Sequence, residues 1–138
     1  MKTKEHISLI GAGLSGPVMA SYLSSIGFST DVYESRSDMR TNSTSAGRSI
    51  NLALSARGIK ALKDIGVYEK IRSTLIPMSG RMIHDENGNV KFQPYGQKKN
   101  EVIYSVSRSN LNKTLMDYAE STNSVKINFD HELQGIDL

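Results

Sequence analysis

The chain has 138 residues, of which 38% are apolar, and this is enough for one domain with a buried core. Its formal net charge of +3 comes from 17 basic and 14 acidic residues scattered along the chain, so no basic stripe indicates a nucleic-acid partner. Cys is absent, which excludes disulfides and thiolate metal sites, and the apolar runs are far shorter than the roughly 20 residues of a transmembrane helix. We therefore expect a soluble protein of a reducing compartment, with no metal site and no membrane segment in this stretch.

The first predicted element is a buried strand over residues 7–10, which ends at a glycine-rich turn. Gly11, Gly13 and Gly16 have the G-x-G-x-x-G spacing that lets a chain turn sharply, approach a pyrophosphate and begin a helix. Pro17 suits the first turn of that helix, and Gly27 suits its end. Four apolar residues recur at every fourth position and predict one stripe of the helix: Leu14, Val18, Tyr22 and Ile26.

A second predicted strand over residues 30–34 ends in a carboxylate, that of Glu34. A carboxylate at this place accepts hydrogen bonds from ribose hydroxyls and repels a ribose 2′-phosphate, which favours FAD or NAD over NADP. Strand, turn, helix, strand and acid follow one another in the order of a Rossmann-like βαβ unit, so the sequence predicts an α/β fold. The motif by itself leaves FAD and NAD open.

The next predicted elements are a loop and two helical segments. Residues 35–49 are polar and without periodicity, which indicates the loop. Ser55 is the expected N-cap of the first helix and Gly66 its end. A short helical turn is expected over residues 68–75. Three apolar residues define the inner face of the first helix: Ile59, Leu62 and Ile65.

The last predicted elements begin with a β-hairpin, inserted where a simple repeated βαβ sheet would continue. Its two arms flank Asn87-Gly88, a pair that supplies positive φ in tight turns. Residues 101–107 alternate as a strand, and Ser109 is a plausible cap for the helix that follows. Residues 125–129 alternate again and predict a final strand.

Five segments of the chain resemble the kynurenine 3-monooxygenase family of FAD-dependent aromatic-ring hydroxylases. They are DVYESR (31–36), GRSINLALS (47–55), GRMIH (80–84), PYG (94–96) and SVSRSNLNKTL (105–115). The resemblance extends from Ile7 to Leu133. It implies FAD as the bound cofactor, NADPH as reductant, O₂ as co-substrate, and hydroxylation of L-kynurenine to 3-hydroxykynurenine. This reaction belongs to tryptophan degradation by the kynurenine pathway and to de novo NAD biosynthesis.

The resemblance also implies a set of site residues. The cofactor contacts are Gly11, Gly13, Ser15, Gly16, Tyr33, Glu34, Ser35, Arg36, Ala53, Arg108 and Leu133. Arg81 and Tyr95 are the implied substrate contacts, and a guanidinium fork beside a hydroxyl suits the carboxylate of an amino acid. No side chain is expected to be a catalytic acid, base or nucleophile, because the flavin carries the chemistry. We assign no role to His84.

Other expectations concern the extent of the domain. The second FAD motif of these flavoproteins and the large sheet over their substrate are absent from this sequence, so residues 1–138 are expected to be the N-terminal part of an incomplete FAD-binding domain. We expect no turnover by these residues alone. The expected location is the cytoplasm of a bacterium, or the outer mitochondrial membrane for a eukaryotic member. Three alternatives stay open: an FAD hydroxylase of another aromatic acid, an NAD-dependent dehydrogenase, which the inserted hairpin disfavours, and a non-catalytic nucleotide-binding fragment.

Overall fold

A computed structural model describes residues 5–41, 50–98 and 101–137, and within these ranges it contains four α-helices and eight strands. The strands are β1 (His6–Ile10), β2 (Ser29–Tyr33), β3 (Asn51–Leu54), β4 (Ile76–Met78), β5 (Gly80–His84), β6 (Val90–Pro94), β7 (Ile103–Ser107) and β8 (Val125–Asn128). The helices are α1 (Ser15–Ser25), α2 (Ala56–Asp64), α3 (Tyr68–Ile71), which continues as a 3-10 turn (Arg72–Thr74), and α4 (Arg108–Glu120). Residues 42–49 of the predicted loop lie outside the described residues.

A parallel sheet of order β1-β2-β8 contains the first two strands of the chain and one of the last. Helices α1 and α4 cover one face of it, where Ala20 and Met116 pack against Val32 of the central strand. All three side chains are at most 1% exposed. Adjacent parallel strands need a crossover connection, and helix α1 provides the one between β1 and β2. This arrangement is the predicted βαβ unit.

The remaining strands form two separate antiparallel sheets. One has the order β3-β7-β4, and the other is the hairpin β5-β6. A second apolar cluster joins α2 and α3 to β7 and to the outer side of α4, with Leu62, Ile71, Val106 and Leu111 among its buried members. Helix α4 therefore lies between the two clusters and fixes the parallel sheet relative to the rest of the domain.

The predicted apolar stripe of α1 is only half correct. Leu14 and Val18 pack against the second cluster, but Tyr22 and Ile26 are 50% and 56% exposed. The fully buried side of the helix instead consists of small residues, namely Pro17, Ala20 and Ser21. Small side chains are buried there because α1 lies close to both β2 and α4, and a larger residue would not fit between them.

The predicted N-cap is correct for α2 and wrong for α4. Ser55 precedes α2 in the extended N-cap conformation, although its side chain makes no cap hydrogen bond. The prediction that Ser109 caps α4 is wrong: the cap is Ser107, whose hydroxyl accepts from the Asn110 N–H at 3.4 Å. β7 runs directly into the helix and leaves Ser109 inside the first turn, so the extended backbone that a cap needs occurs two residues earlier.

The hairpin closes around residues 85–89 rather than through a two-residue turn. Gly88 has a positive φ of 80°, whereas Asn87 does not. The Asp85 carboxylate accepts the backbone N–H groups of Asn87 and Asn89 at 2.9 and 2.8 Å. Hydrogen bonds to the Asp85 side chain thus stabilise this turn, and a positive φ at Asn87, which a two-residue turn would need, is not required. In the described ranges, none of the helices has the length and apolar character required to cross a bilayer.

Candidate nucleotide site

The glycine turn between β1 and α1 has the geometry of an open cradle. Gly11 has φ 95°, a conformation that L side chains rarely adopt, and its N–H donates to the Tyr33 carbonyl at 2.7 Å. A Cβ on Gly16 would overlap the Gly11 carbonyl oxygen, so only glycine allows α1 to begin this close to the strand. A Cβ on Gly13 would meet no heavy atom within 4 Å. The backbone at Gly13 is therefore open to an approaching molecule.

Helix α1 begins at this turn without a polar cap. Leu14 occupies the N-cap position, no side chain of the described residues bonds to the first-turn amides, and no acidic residue lies in the first turn. Free N–H groups and the positive end of the helix dipole are therefore directed at the turn. This arrangement favours a negatively charged group at the mouth of the glycine turn.

The carboxylate of Glu34 lies against the glycine turn and is held on both oxygens. Oε2 accepts the Ala12 N–H at 2.8 Å and Arg36 Nη2 at 3.2 Å. Oε1 accepts the Arg36 N–H at 3.0 Å and Arg36 Nε at 2.7 Å. Glu34 is only 5% exposed, whereas the Arg36 side chain is 71% exposed. A buried carboxylate is thus paired with a guanidinium at the protein surface.

Hydrogen bonding determines the charge of Glu34. The Arg36 guanidinium lowers the pKa of Glu34 from 4.5 to about 2, with further contributions from the N–H groups of Arg36 and Ala12, while burial acts in the opposite direction. The same pair raises the pKa of Arg36. Glu34 is therefore ionised at neutral pH and presents acceptors only, as a residue that binds ribose hydroxyls must.

An ion cluster behind this site was not found by sequence reasoning. Arg40 donates to Asp38 at 2.7 Å, to Asp117 at 2.9 Å and to Glu120 at 2.6 Å, and its guanidinium lies 5.4 Å from the centre of the Phe129 ring. These bonds raise the pKa of Arg40 and fasten the loop after β2 to α4. The partners are up to 80 residues apart in the chain, so no local pattern could have revealed them.

The other predicted cofactor residues lie around this centre at different places. Ser15 and Ala53 line the same apolar cavity of about 610 Å³, which lies between α1, β3 and α2. Arg108 is the exposed first residue of α4, and its N–H donates to the Ile50 carbonyl at 3.1 Å. Leu133 is 46% exposed, two residues beyond His131, whose N–H donates to the Glu34 carbonyl at 2.9 Å. The structure brings Ser15 and Ala53 to one cavity, whereas Arg108 and Leu133 do not line it.

The two predicted substrate residues lie on the exposed hairpin, outside this centre. Arg81 pairs with Gln93 in the register of β5 and β6, and its Nε donates to Gln93 Oε1 at 2.8 Å. The Tyr95 N–H donates to the Ser79 carbonyl at 3.0 Å, which continues the ladder by one more pair. Because side chains alternate along a strand, Gln93 and Tyr95 share the face of Arg81. Arg81 and Tyr95 are diagonal neighbours, a relation that typically separates residues by about 7–8 Å.

Comparison with known proteins gives consistent matches over nearly the whole chain. The family model described as FAD binding domain matches residues 4–137. Kynurenine 3-monooxygenase of Legionella pneumophila (strain Corby) is 42% identical over 97% of the chain and 30% of its own length. The enzyme of the same name from Sus scrofa is 48% identical over 94% of the chain and 27% of its own length. The chain thus spans less than a third of the length of these curated relatives.

Solved structures show the same fold at lower identity. p-Nitrophenol 4-monooxygenase from Pseudomonas putida DLL-E4 matches 100% of the chain and 35% of its own chain, with a TM-score of 0.76 and 18% identity. A 2-methyl-3-hydroxypyridine-5-carboxylic acid oxygenase matches 94% of the chain and 32% of its own chain, with a TM-score of 0.74 and 20% identity. The predicted α/β fold is confirmed.

Proposed function

The chain belongs to the FAD binding domain family, and from this premise we propose that its glycine turn and Glu34 hold the adenosine diphosphate part of FAD. The observation that carries the proposal is the juxtaposition of an uncapped helix start with a buried, ionised carboxylate at one turn. The amides at the start of α1 bind the pyrophosphate. Glu34 accepts the ribose hydroxyls when the exposed Arg36 side chain gives up its bonds to the two carboxylate oxygens. The open space at Gly13 accommodates the close approach that a pyrophosphate requires.

Flavin titration tests this proposal. FAD added to the chain should give shifted flavin absorption bands and saturable binding. Glu34→Gln should weaken binding about tenfold or more, since hydrogen bonds to a charged group contribute about 1.5–3 kcal/mol each. Asp31→Asn is the matched control, because the Asp31 carboxylate on β2 lies three residues before Glu34 and pairs with His6 and not with the turn. The assignment would be refuted if the wild-type chain did not bind FAD, or if Glu34→Gln and Asp31→Asn lost affinity for FAD equally.

We further propose that the protein containing this chain hydroxylates L-kynurenine. The reaction consumes L-kynurenine, O₂, NADPH and a proton, and it yields 3-hydroxykynurenine, water and NADP⁺. The names of the relatives, at 42% and 48% identity, support this proposal. Bound FAD supplies the redox chemistry that passes electrons to O₂ and an oxygen atom to the aromatic ring. The side chains of this stretch bind and orient the cofactor and substrate.

Arg81 and Tyr95 are the proposed contacts of the substrate carboxylate. The bond from Arg81 to Gln93 uses Nε, so among the described residues the two terminal nitrogens of the fork are left for the substrate. A planar guanidinium binds a carboxylate through two parallel hydrogen bonds, and the Tyr95 hydroxyl on the same face adds a third donor. This arrangement recognises the amino-acid end of kynurenine and leaves its ring free to face the flavin.

A comparison of two ligands tests the substrate assignment. FAD-loaded protein should respond to L-kynurenine more strongly than to the amine formed by removing its carboxylate, as measured by perturbation of the flavin spectrum. Arg81→Ala should abolish this preference while FAD binding survives. Lys91→Ala, which removes a cation from the same face of the hairpin, should preserve it. Equal responses of the wild-type protein to both ligands would point instead to a hydroxylase of another aromatic compound.

A further inference from the structure

Two buried side chains from distant parts of the chain hold the peptide groups on either side of Ala12. The Ala12 N–H donates to Glu34 Oε2 at 2.8 Å. The Ala12 carbonyl accepts from Asn112 Nδ2 at 3.1 Å, across 100 residues of sequence. Asn112 is 7% exposed and stands in the first half of α4. The glycine turn is therefore held from the end of β2 on one side and from α4 on the other.

The direction of the Gly13 N–H follows from the geometry of the peptide group that joins Ala12 to Gly13. The carbonyl of Ala12 and the N–H of Gly13 belong to one planar trans peptide, in which they point in opposite directions. Because Asn112 holds this carbonyl toward α4, the Gly13 N–H points away from α4. Within residues 5–41, 50–98 and 101–137, no backbone carbonyl accepts from it. An added Cβ on Gly13 would meet no heavy atom within 4 Å, so there is open space beside this peptide group.

We propose that Asn112 is a positioning residue of the nucleotide site, which fixes the Gly13 N–H in the direction from which it donates to a diphosphate oxygen. This inference rests on the proposed binding of FAD and deepens it. Successive backbone amides bind phosphate oxygens only when they point to one place, and a peptide plane at a glycine turns easily unless something holds it. Asn112 supplies that restraint without contacting the ligand.

A second observation separates this role from general support of the fold. The other amide atom, Asn112 Oδ1, is buried without a hydrogen-bond partner among the described residues. A buried unpaired oxygen costs free energy, so this side chain stabilises the fold less than its burial suggests. Asn112→Leu removes the unpaired oxygen together with the bond to Ala12, and its effects on the fold partly cancel. The loss of orientation at Gly13 is not compensated.

Binding of two ligands to variant chains tests the proposal. Relative to the wild-type chain, Asn112→Leu should bind FAD about tenfold more weakly, the effect of one lost hydrogen bond to a charged group. Its affinity for adenosine should stay within about twofold, because adenosine carries no phosphate for the Gly13 amide. Val67→Ala is the control, since Val67 is 0% exposed and belongs to the second apolar cluster, and it has no part in the hydrogen bonds that hold Ala12. It should leave the affinity for both ligands unchanged.

The outcomes separate a failure of the proposed FAD binding from a failure of the role proposed for Asn112. A wild-type chain that does not bind FAD refutes the proposed function and the inference with it. FAD binding by wild type and Asn112→Leu with equal affinity overturns the inference alone, and so does an equal loss of FAD and adenosine. If Asn112→Leu fails to fold, the ¹H–¹⁵N resonance of Gly13 in the wild-type chain decides: it should shift on addition of ADP but not of adenosine, and any other result overturns the proposal.

Discussion

Replacing Glu34 with Gln should remove a pH-dependent part of the stability of this domain. The pKa of Glu34 is lowered from 4.5 to about 2 in the folded chain, mainly by the Arg36 guanidinium. Each unit corresponds to about 1.4 kcal/mol, so the ionised carboxylate contributes on the order of 3 kcal/mol to the free energy of unfolding at neutral pH. Because the folded pKa is the lower one, this contribution is complete above pH 4.5 and is lost as the pH falls toward 2.

Urea unfolding measures the effect. The chain contains no Trp, so far-UV circular dichroism is the suitable signal. The difference in free energy of unfolding between wild type and Glu34→Gln should be largest near neutral pH and should shrink as the pH approaches about 3. Other acidic groups, including Asp38 beside Arg40, titrate in both proteins and cancel in the difference. A difference between wild type and Glu34→Gln that is constant over this range would refute the reasoning.

Further predictions concern the glycine turn and one long-range hydrogen bond. Gly16→Ala should destabilise the fold by several kcal/mol, about the cost of strong overpacking, because its Cβ would overlap the Gly11 carbonyl; an unchanged urea midpoint would contradict this. Gly13→Ala should change the free energy of unfolding by less than about 1 kcal/mol yet weaken FAD binding, since its Cβ enters space reserved for the ligand; equal FAD affinity would refute the proposed approach. Tyr118→Phe should cost about 1 kcal/mol in thermal or urea unfolding, because the Tyr118 hydroxyl donates to the Ile65 carbonyl at 2.5 Å; no loss would show that this bond adds nothing.

The local part of the site was predictable because its signals are adjacent in the chain. A strand followed by Gly11, a helix that begins a few residues later and a second strand followed by Glu34 are each specified by short-range patterns. The spacing of the glycines reflects a steric requirement at Gly16, which holds whatever surrounds the turn. Sequence reasoning therefore located the turn, the helix start and the acidic residue correctly.

The cap of α4 and part of the buried face of α1 were predicted wrongly, because in each case several residues suit the role and the tertiary surroundings select among them. Ser107 and Ser109 are both good caps, and the end of β7 selects Ser107. Tyr22 and Ile26 continue an apolar period of four, but the close approach of α1 to β2 and α4 buries small residues on a different side of the helix. Periodicity identifies a helix more reliably than it identifies the face that becomes buried.

The amino-acid sequence by itself determined the βαβ unit, the glycine turn and the acid at the end of the second strand, because backbone conformation and residue spacing decide these features over a few residues. Only the tertiary structure decided how the site is held. The pairing of Glu34 with Ala12, the ion cluster of Arg40 with α4, and the bond from Asn112 to the glycine turn join groups 22 to 100 residues apart. Such contacts exist only after β2, α1 and α4 have packed together, since their geometry depends on where whole elements lie and not on the pattern within any one of them.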